Sequence, residues 1–205
     1  MVMDDVLIHK IKDRLTHPLP GPDAQFRMVP SFRLAVTKTA VTAKAGVLLF
    51  LYPKSDEWHI VFMKRPDYEG THGGQISFPG GKFDPPDVNL SETALRETEE
   101  EIGVPASKIT LLGALSPLYI PVSEYEVYPF IGFSNSRPDF KIDPHEVRYL
   151  IEAKVIDLLD LSARKEKLYT SERVTGIIPY FNLHGHEVWG ATAMILNEFL
   201  VLITS

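Results

Sequence analysis

The sequence contains no cysteine. Disulfide frameworks, thiolate nucleophiles and cysteine-zinc sites are therefore excluded, and a reducing compartment fits. It has no long hydrophobic run: the longest apolar stretch, Ala45 to Tyr52, includes a glycine and is far short of a membrane span. Basic residues are outnumbered, 21 Lys and Arg against 27 Asp and Glu, a formal net charge of -6. That balance argues against broad nucleic-acid binding, which needs a basic field. Met1 to Asp5 has neither the basic start nor the apolar core of a signal peptide. The expectation is a cytoplasmic protein without membrane or nucleic-acid partners. No internal repeat and no low-complexity tract is present.

What remains is 205 residues of ordinary globular composition, 44% of them hydrophobic. A chain of this size builds a core without a metal or disulfide staple, so a metal here would have a chemical role. Val6, Ile8, Ile11 and Leu15 recur at near-helical spacing over 4–15. Pro18 to Pro22 then breaks the pattern. We read 1–30 as a helical extension with a Pro-rich linker and 31–205 as the main domain.

Ala45 to Tyr52 reads as a buried strand and Trp58 to Lys64 as its hairpin partner. Ile109–Leu115, Val127–Phe133 and Val174–Leu183 read as further strands. Val155–Leu161 is ambiguous between helix and strand, and Trp189 leads into an apolar helix ending near Ile203. The pattern predicts an α/β (α+β) protein, a mixed sheet with helices packed on its faces.

The helix following Asn89 has clear ends. Asn89 suits the N-cap, Glu92 completes a capping-box-like pair, and Gly103 with Pro105 supplies the stop. At about 100° per residue Leu95, Thr98 and Ile102 share one face. Glu97, Glu100 and Glu101 fall together on the other side. Like charges at these spacings cost a few tenths of a kcal/mol per pair, and the dipole disfavours anions at a helix C-terminus. Local stability does not explain the cluster, whereas a hard divalent cation does. Just upstream, Phe78-Pro79-Gly80-Gly81 lets the backbone approach a ligand closely. It is not a Walker loop, because Phe83 follows Gly81-Lys82, and no Gly-x-Ser-x-Gly elbow occurs.

Gly81 followed by Arg96-Glu97-Thr98-Glu99-Glu100-Glu101-Ile102-Gly103-Val104 resembles the Nudix box, Gly-x5-Glu-x7-Arg-Glu-U-x-Glu-Glu-x-Gly-U, with U bulky and aliphatic. Thr98 stands at the first U, Asp87 stands where the box has glutamate, and one extra residue precedes Arg96. No role is assigned to Asp87. The resemblance implies a mixed β-sheet sandwiched between α-helices and Mg²⁺- or Mn²⁺-dependent cleavage of a diphosphate joined to another moiety. It implies Glu97 and Glu101 as metal ligands, Glu100 as a further ligand or water-activating group, and Arg96 as the residue orienting the carboxylates. Glu146, in Pro144-His145-Glu146-Val147, is a candidate base reaching in from a loop. Lys64, Arg65, Gly80, Gly81 and Lys82 are candidates for binding the substrate phosphates.

A second resemblance covers more of the chain. Arg65 through Gly81, Tyr128-Pro129-Phe130-Ile131-Gly132, Glu146-Val147 and Trp189-Gly190-Ala191-Thr192-Ala193 are similar to the coenzyme A pyrophosphatase subfamily. There are departures: Pro66 replaces Ser or Ala, and Gly70 replaces an arginine. The resemblance implies a small-molecule nucleotide-diphosphate substrate, coenzyme A or a derivative cleaved to 3′,5′-ADP and 4′-phosphopantetheine. ADP-ribose, other nucleoside diphosphate derivatives and nucleoside triphosphates remain as alternatives. A non-catalytic Nudix-fold module sensing a nucleotide is the alternative of a different class, and such modules would be expected to have lost box carboxylates. A homodimer is compatible with the sequence, which does not specify the oligomeric state. His184 and His186, around Gly185, read as a hairpin turn, and Tyr119, Tyr125 and Tyr128 as strand packing.

Overall fold

The structure, a computed structural model, describes residues 4–33, 43–67, 73–171 and 174–205. Gly70, the position where the subfamily arginine is replaced, lies outside the described residues. The helices are α1 (Asp4–Arg14), α2 (Gly21–Gln25), α3 (Leu90–Ile102), α4 (Val155–Leu159) and α5 (Gly190–Thr204). The strands run β1 (Ala43–Lys54), β2 (Glu57–Lys64), β3 (Ile76–Ser77), β4 (Gly80–Lys82), β5 (Thr110–Ala114) and β6 (Leu118–Ile120). They continue with β7 (Tyr125–Phe133), β8 (Tyr149–Lys154), β9 (Arg164–Thr170), β10 (Thr175–Leu183) and β11 (His186–Trp189).

The main sheet has the order β3-β2-β1-β7-β5, with β4 beside β1, β6 beside β7 and β8 beside β2. Its β1–β7 pair is parallel and the others antiparallel, so the sheet is mixed, as expected. β1 is apolar on both faces because both are covered. The two-residue period of a strand divides its side chains between two cores. Leu48, Phe50 and Tyr52 pack with Ala94 and Ile102 of α3. Leu49 and Leu51 join the opposite core with Ile195 and Phe199 of α5. Ser55 and Asp56 take left-handed φ values of 52° and 60° and close the β1–β2 hairpin in two residues.

Helix α5 is apolar nearly all round because the sheets, α1 and α2 surround it. It nevertheless carries Glu198, fully buried. That carboxylate accepts hydrogen bonds from the Gly21 N–H (3.1 Å), Gln25 Nε2 (2.7 Å) and the Ser116 N–H (3.1 Å). Three donors make its burial tolerable. The Pro-rich stretch therefore leads straight into α2, docked on α5, instead of spanning solvent.

The second sheet, β9-β10-β11, was only partly legible. β9 is mostly exposed and its polar sequence lacks alternation, while β10 lies within the expected 174–183. The ambiguous 155–161 segment resolves into α4 followed by the 3-10 turn Leu161–Ala163. Among the described residues no helix is long and apolar enough to cross a membrane.

Candidate active site

Helix α3 organises the site. Asn89 caps it, its Oδ1 accepting from the Ser91 and Glu92 N–H groups at 3.0 and 3.1 Å. Glu92 reaches past the cap to the Val88 N–H (3.0 Å). Gly103 ends the helix at φ 71°, where its missing Cβ allows the left-handed stop.

The last two turns do not present a uniformly solvated acidic face. Glu101 is buried, 1% exposed, with Gly80 of β4 and Arg65, just past the end of β2, against it. Its Oε2 accepts the Gly80 N–H at 2.8 Å and its Oε1 accepts Arg65 Nη2 at 3.3 Å. Burial nonetheless pushes its carboxyl up to about 8, with Glu97 and Glu146 adding repulsion against the pull of Arg65 and the Gly80 N–H. Glu97 is half-buried and also raised, first by burial, with Arg96 opposing. Its carboxylate lies over Gly81, where a Cβ would come within 2.4 Å of it. The glycine is thus needed for close approach.

Glu146 arrives from the loop between β7 and β8. Backbone bonds tie that loop to the end of α3, Lys141 N–H to Ile102 O and Asp143 N–H to Glu101 O, both 3.0 Å. Fully buried Val147 anchors the next position. Carboxylate oxygens of Glu97, Glu101 and Glu146 come within 4.8 Å of one another. Among the described residues this is the group able to hold a metal ion. Three hard oxygen donors, one of them buried and pushed toward neutrality, are electrostatically incomplete without a cation, so the donor set fits one.

Glu100 is not part of that cluster. It stands outside, 55% exposed at the side chain, paired with Arg96 Nη1 at 2.9 Å. Arg96 also contacts Glu97 Oε1 at 2.9 Å. Its firmest partner is Asp87, which takes Nε at 2.9 Å and Nη2 at 3.1 Å as a two-point fork. Asp87 further accepts from Thr93 Oγ1 (2.8 Å) and the Asp84 N–H (3.1 Å). The Arg96 pair holds its carboxyl well below the usual range. No role was assigned to this residue from sequence. The signal was an acidic residue at the box position, one methylene short.

The remaining candidates divide. Arg65, Gly80, Gly81 and Lys82 line one cavity of about 390 Å³. Lys64 is turned away from it, donating to the carbonyl of Gly74. His184 and Gly185 form the β10–β11 turn, and neither His184 nor His186 belongs to the carboxylate group.

A family model, the NUDIX domain, matches residues 42–174. The chain belongs to the Nudix family. It is similar to the Nudix hydrolase NudL of Yersinia pestis (strain Pestoides F), 34% identical over 160 residues, 78% of this chain and 79% of that protein. NudL of Yersinia pseudotuberculosis (strain YPIII) matches over the same 160 residues at the same 34%. Among solved structures, the MutT protein of Methanosarcina mazei Go1 shares the fold at a TM-score of 0.51 and 17% identity, covering 78% of this chain and 92% of that one. An Ap4A hydrolase of C. elegans shares it at 0.50 and 18%, covering 59% and 86%. Membership makes the protein a pyrophosphohydrolase, an enzyme acting on acid anhydrides.

Proposed function

We propose that this Nudix hydrolase cleaves the diphosphate of coenzyme A or a close derivative, yielding 3′,5′-ADP and 4′-phosphopantetheine. One observation carries the substrate reading. Two of the four segments that resemble the coenzyme A subfamily, Arg65–Gly81 and Trp189–Ala193, are far apart in sequence, yet Arg65, Gln75 and Phe78 of the first line the same cavity as Trp189, Gly190 and Thr192 of the second. Thr192 Oγ1 joins them directly by donating to Ile76 O at 2.9 Å.

In this reading Glu97, Glu101 and Glu146 hold Mg²⁺ or Mn²⁺. When bound, such a cation offsets the charge of the diphosphate and acidifies the attacking water. The other tasks belong to the chain. Gly80 and Arg65 fix the Glu101 carboxylate by the hydrogen bonds described. Arg96, clamped by Asp87, holds Glu97 in place and keeps Glu100 at the rim. Glu146, the exposed member of the three carboxylates, is the candidate to accept the proton of the attacking water. Lys82, exposed at the cavity edge, and Arg65 offset phosphate charge.

The test is turnover of coenzyme A, dephospho-coenzyme A and ADP-ribose with Mg²⁺ or Mn²⁺, ranked by kcat/KM with products identified by mass. Coenzyme A is expected to lead. If ADP-ribose leads by about tenfold or more, a difference of about 1.4 kcal/mol, the substrate reading is wrong.

A further inference from the structure

The cavity of about 390 Å³ is lined mainly by apolar side chains, among them Val47, Phe78, Ile120, Val122 and Ile195. The two cations of its wall, Arg65 and Lys82, accompany Gly80 and Gly81, the glycines against Glu101 and Glu97. Arg65 is committed to Gly80 O (3.2 Å) and Glu101 (3.3 Å), and Thr192 Oγ1 to Ile76 O (2.9 Å).

Two oxygens of the wall residues are not committed. Ser77 Oγ and Ser123 Oγ are buried and have no hydrogen-bond partner among the described residues. A buried hydroxyl left unpaired is unfavourable, and native structures hold few of them.

The backbone around each serine is held. Ser77 lies in β3 opposite Met63 of β2, and Thr192 bonds the carbonyl of its neighbour Ile76. Ser123 sits in the turn between β6 and β7, which is closed by the Ile120–Tyr125 pair. Its own N–H donates to Ile120 O at 3.3 Å. Each hydroxyl is carried on one rotatable bond, so it can turn to a ligand group without movement of the backbone.

The surroundings select the kind of group. Glu124 and Glu126 follow Ser123 closely and disfavour an anion there. The phosphates already have Arg65 and Lys82 as cations. A hydroxyl both donates and accepts, which suits a neutral amide, hydroxyl or ring nitrogen.

We infer that Ser77 and Ser123 are specificity-determining residues, whose hydroxyls hydrogen-bond uncharged polar atoms of a group joined to the diphosphate. The inference rests on this cavity being the substrate site and not on coenzyme A being the substrate.

The experiment compares Ser77→Ala and Ser123→Ala with wild type. The substrate is the one of coenzyme A, dephospho-coenzyme A and ADP-ribose that wild type turns over best with Mg²⁺, and Tm is measured without substrate. Each variant is expected to raise KM about three- to tenfold, the worth of one neutral hydrogen bond, with the loss falling on KM instead of kcat. Tm should equal or exceed that of wild type, because the free protein loses an unpaired oxygen and no bond. An unmoved KM in either variant, or a fall in Tm accompanying the rise in KM, overturns the assignment whichever substrate leads. With ADP-ribose as the best substrate the coenzyme A reading falls, while the same KM and Tm values still decide the serines. A wild type that turns over none of the three overturns both.

Discussion

Replacing Asp87 by Asn keeps the shape of the residue but removes the anion that Arg96 grips at two points, 2.9 and 3.1 Å. The Asp87 side chain is only 5% exposed, so the guanidinium loses a desolvated partner that water does not replace well. A charged hydrogen bond of this kind is worth about 1.5–3 kcal/mol. Arg96 keeps Glu97 and Glu100, which holds the loss to that range and below the full cost of stranding a buried charge. For a chain of this length, about 2–4 °C per kcal/mol converts it to a fall in Tm of about 3–12 °C at pH 7. The pH dependence carries the sign. Asp87 has a depressed pKa in the folded state, so its contribution is present above the ordinary carboxylate value near 4. It is lost as pH falls from there toward the folded value. Thermal unfolding of wild type and Asp87→Asn should differ fully at pH 6–7, and the gap should narrow steadily below about pH 4. Activity should fall as well, because a released guanidinium settles on Glu97. A variant with wild-type Tm at pH 7, or a gap that widens in acid, would refute the clamp.

Glu97→Gln and Glu101→Gln should leave circular dichroism unchanged and reduce kcat by more than the roughly 10–100-fold typical of losing an outer partner, whereas Glu100→Gln should cost less; near-normal turnover with unchanged metal affinity in the first two would remove them from the site. Gly81→Ala places a Cβ 2.4 Å from the Glu97 carboxylate. A flexible side-chain end can move aside, so Tm should change little while kcat drops; equal losses of both, or of neither, would contradict the close-approach reading.

The sequence by itself determined the local frame of this enzyme. Asn89 and Gly103 set the ends of α3 through a side-chain cap and a left-handed stop, both properties of single residues. β1, β2 and β7 were legible because strands covered on both faces must be apolar throughout. The spacing of the box placed Glu97 and Glu101 one turn apart, and hence assigned the family. The tertiary structure decided what those carboxylates experience. Helical angle puts Glu101 at the edge of the polar side, but Gly80 of β4 and Arg65, just past β2, bury it and give it partners. Asp87 acquires its role only when the loop before α3 folds back onto Arg96. Likewise α2 docks because a carboxylate far along the chain, Glu198, offers acceptors to Gly21 and Gln25. Caps and periodicities act over a few residues and can be read directly, whereas burial and partnership depend on which segments meet in space.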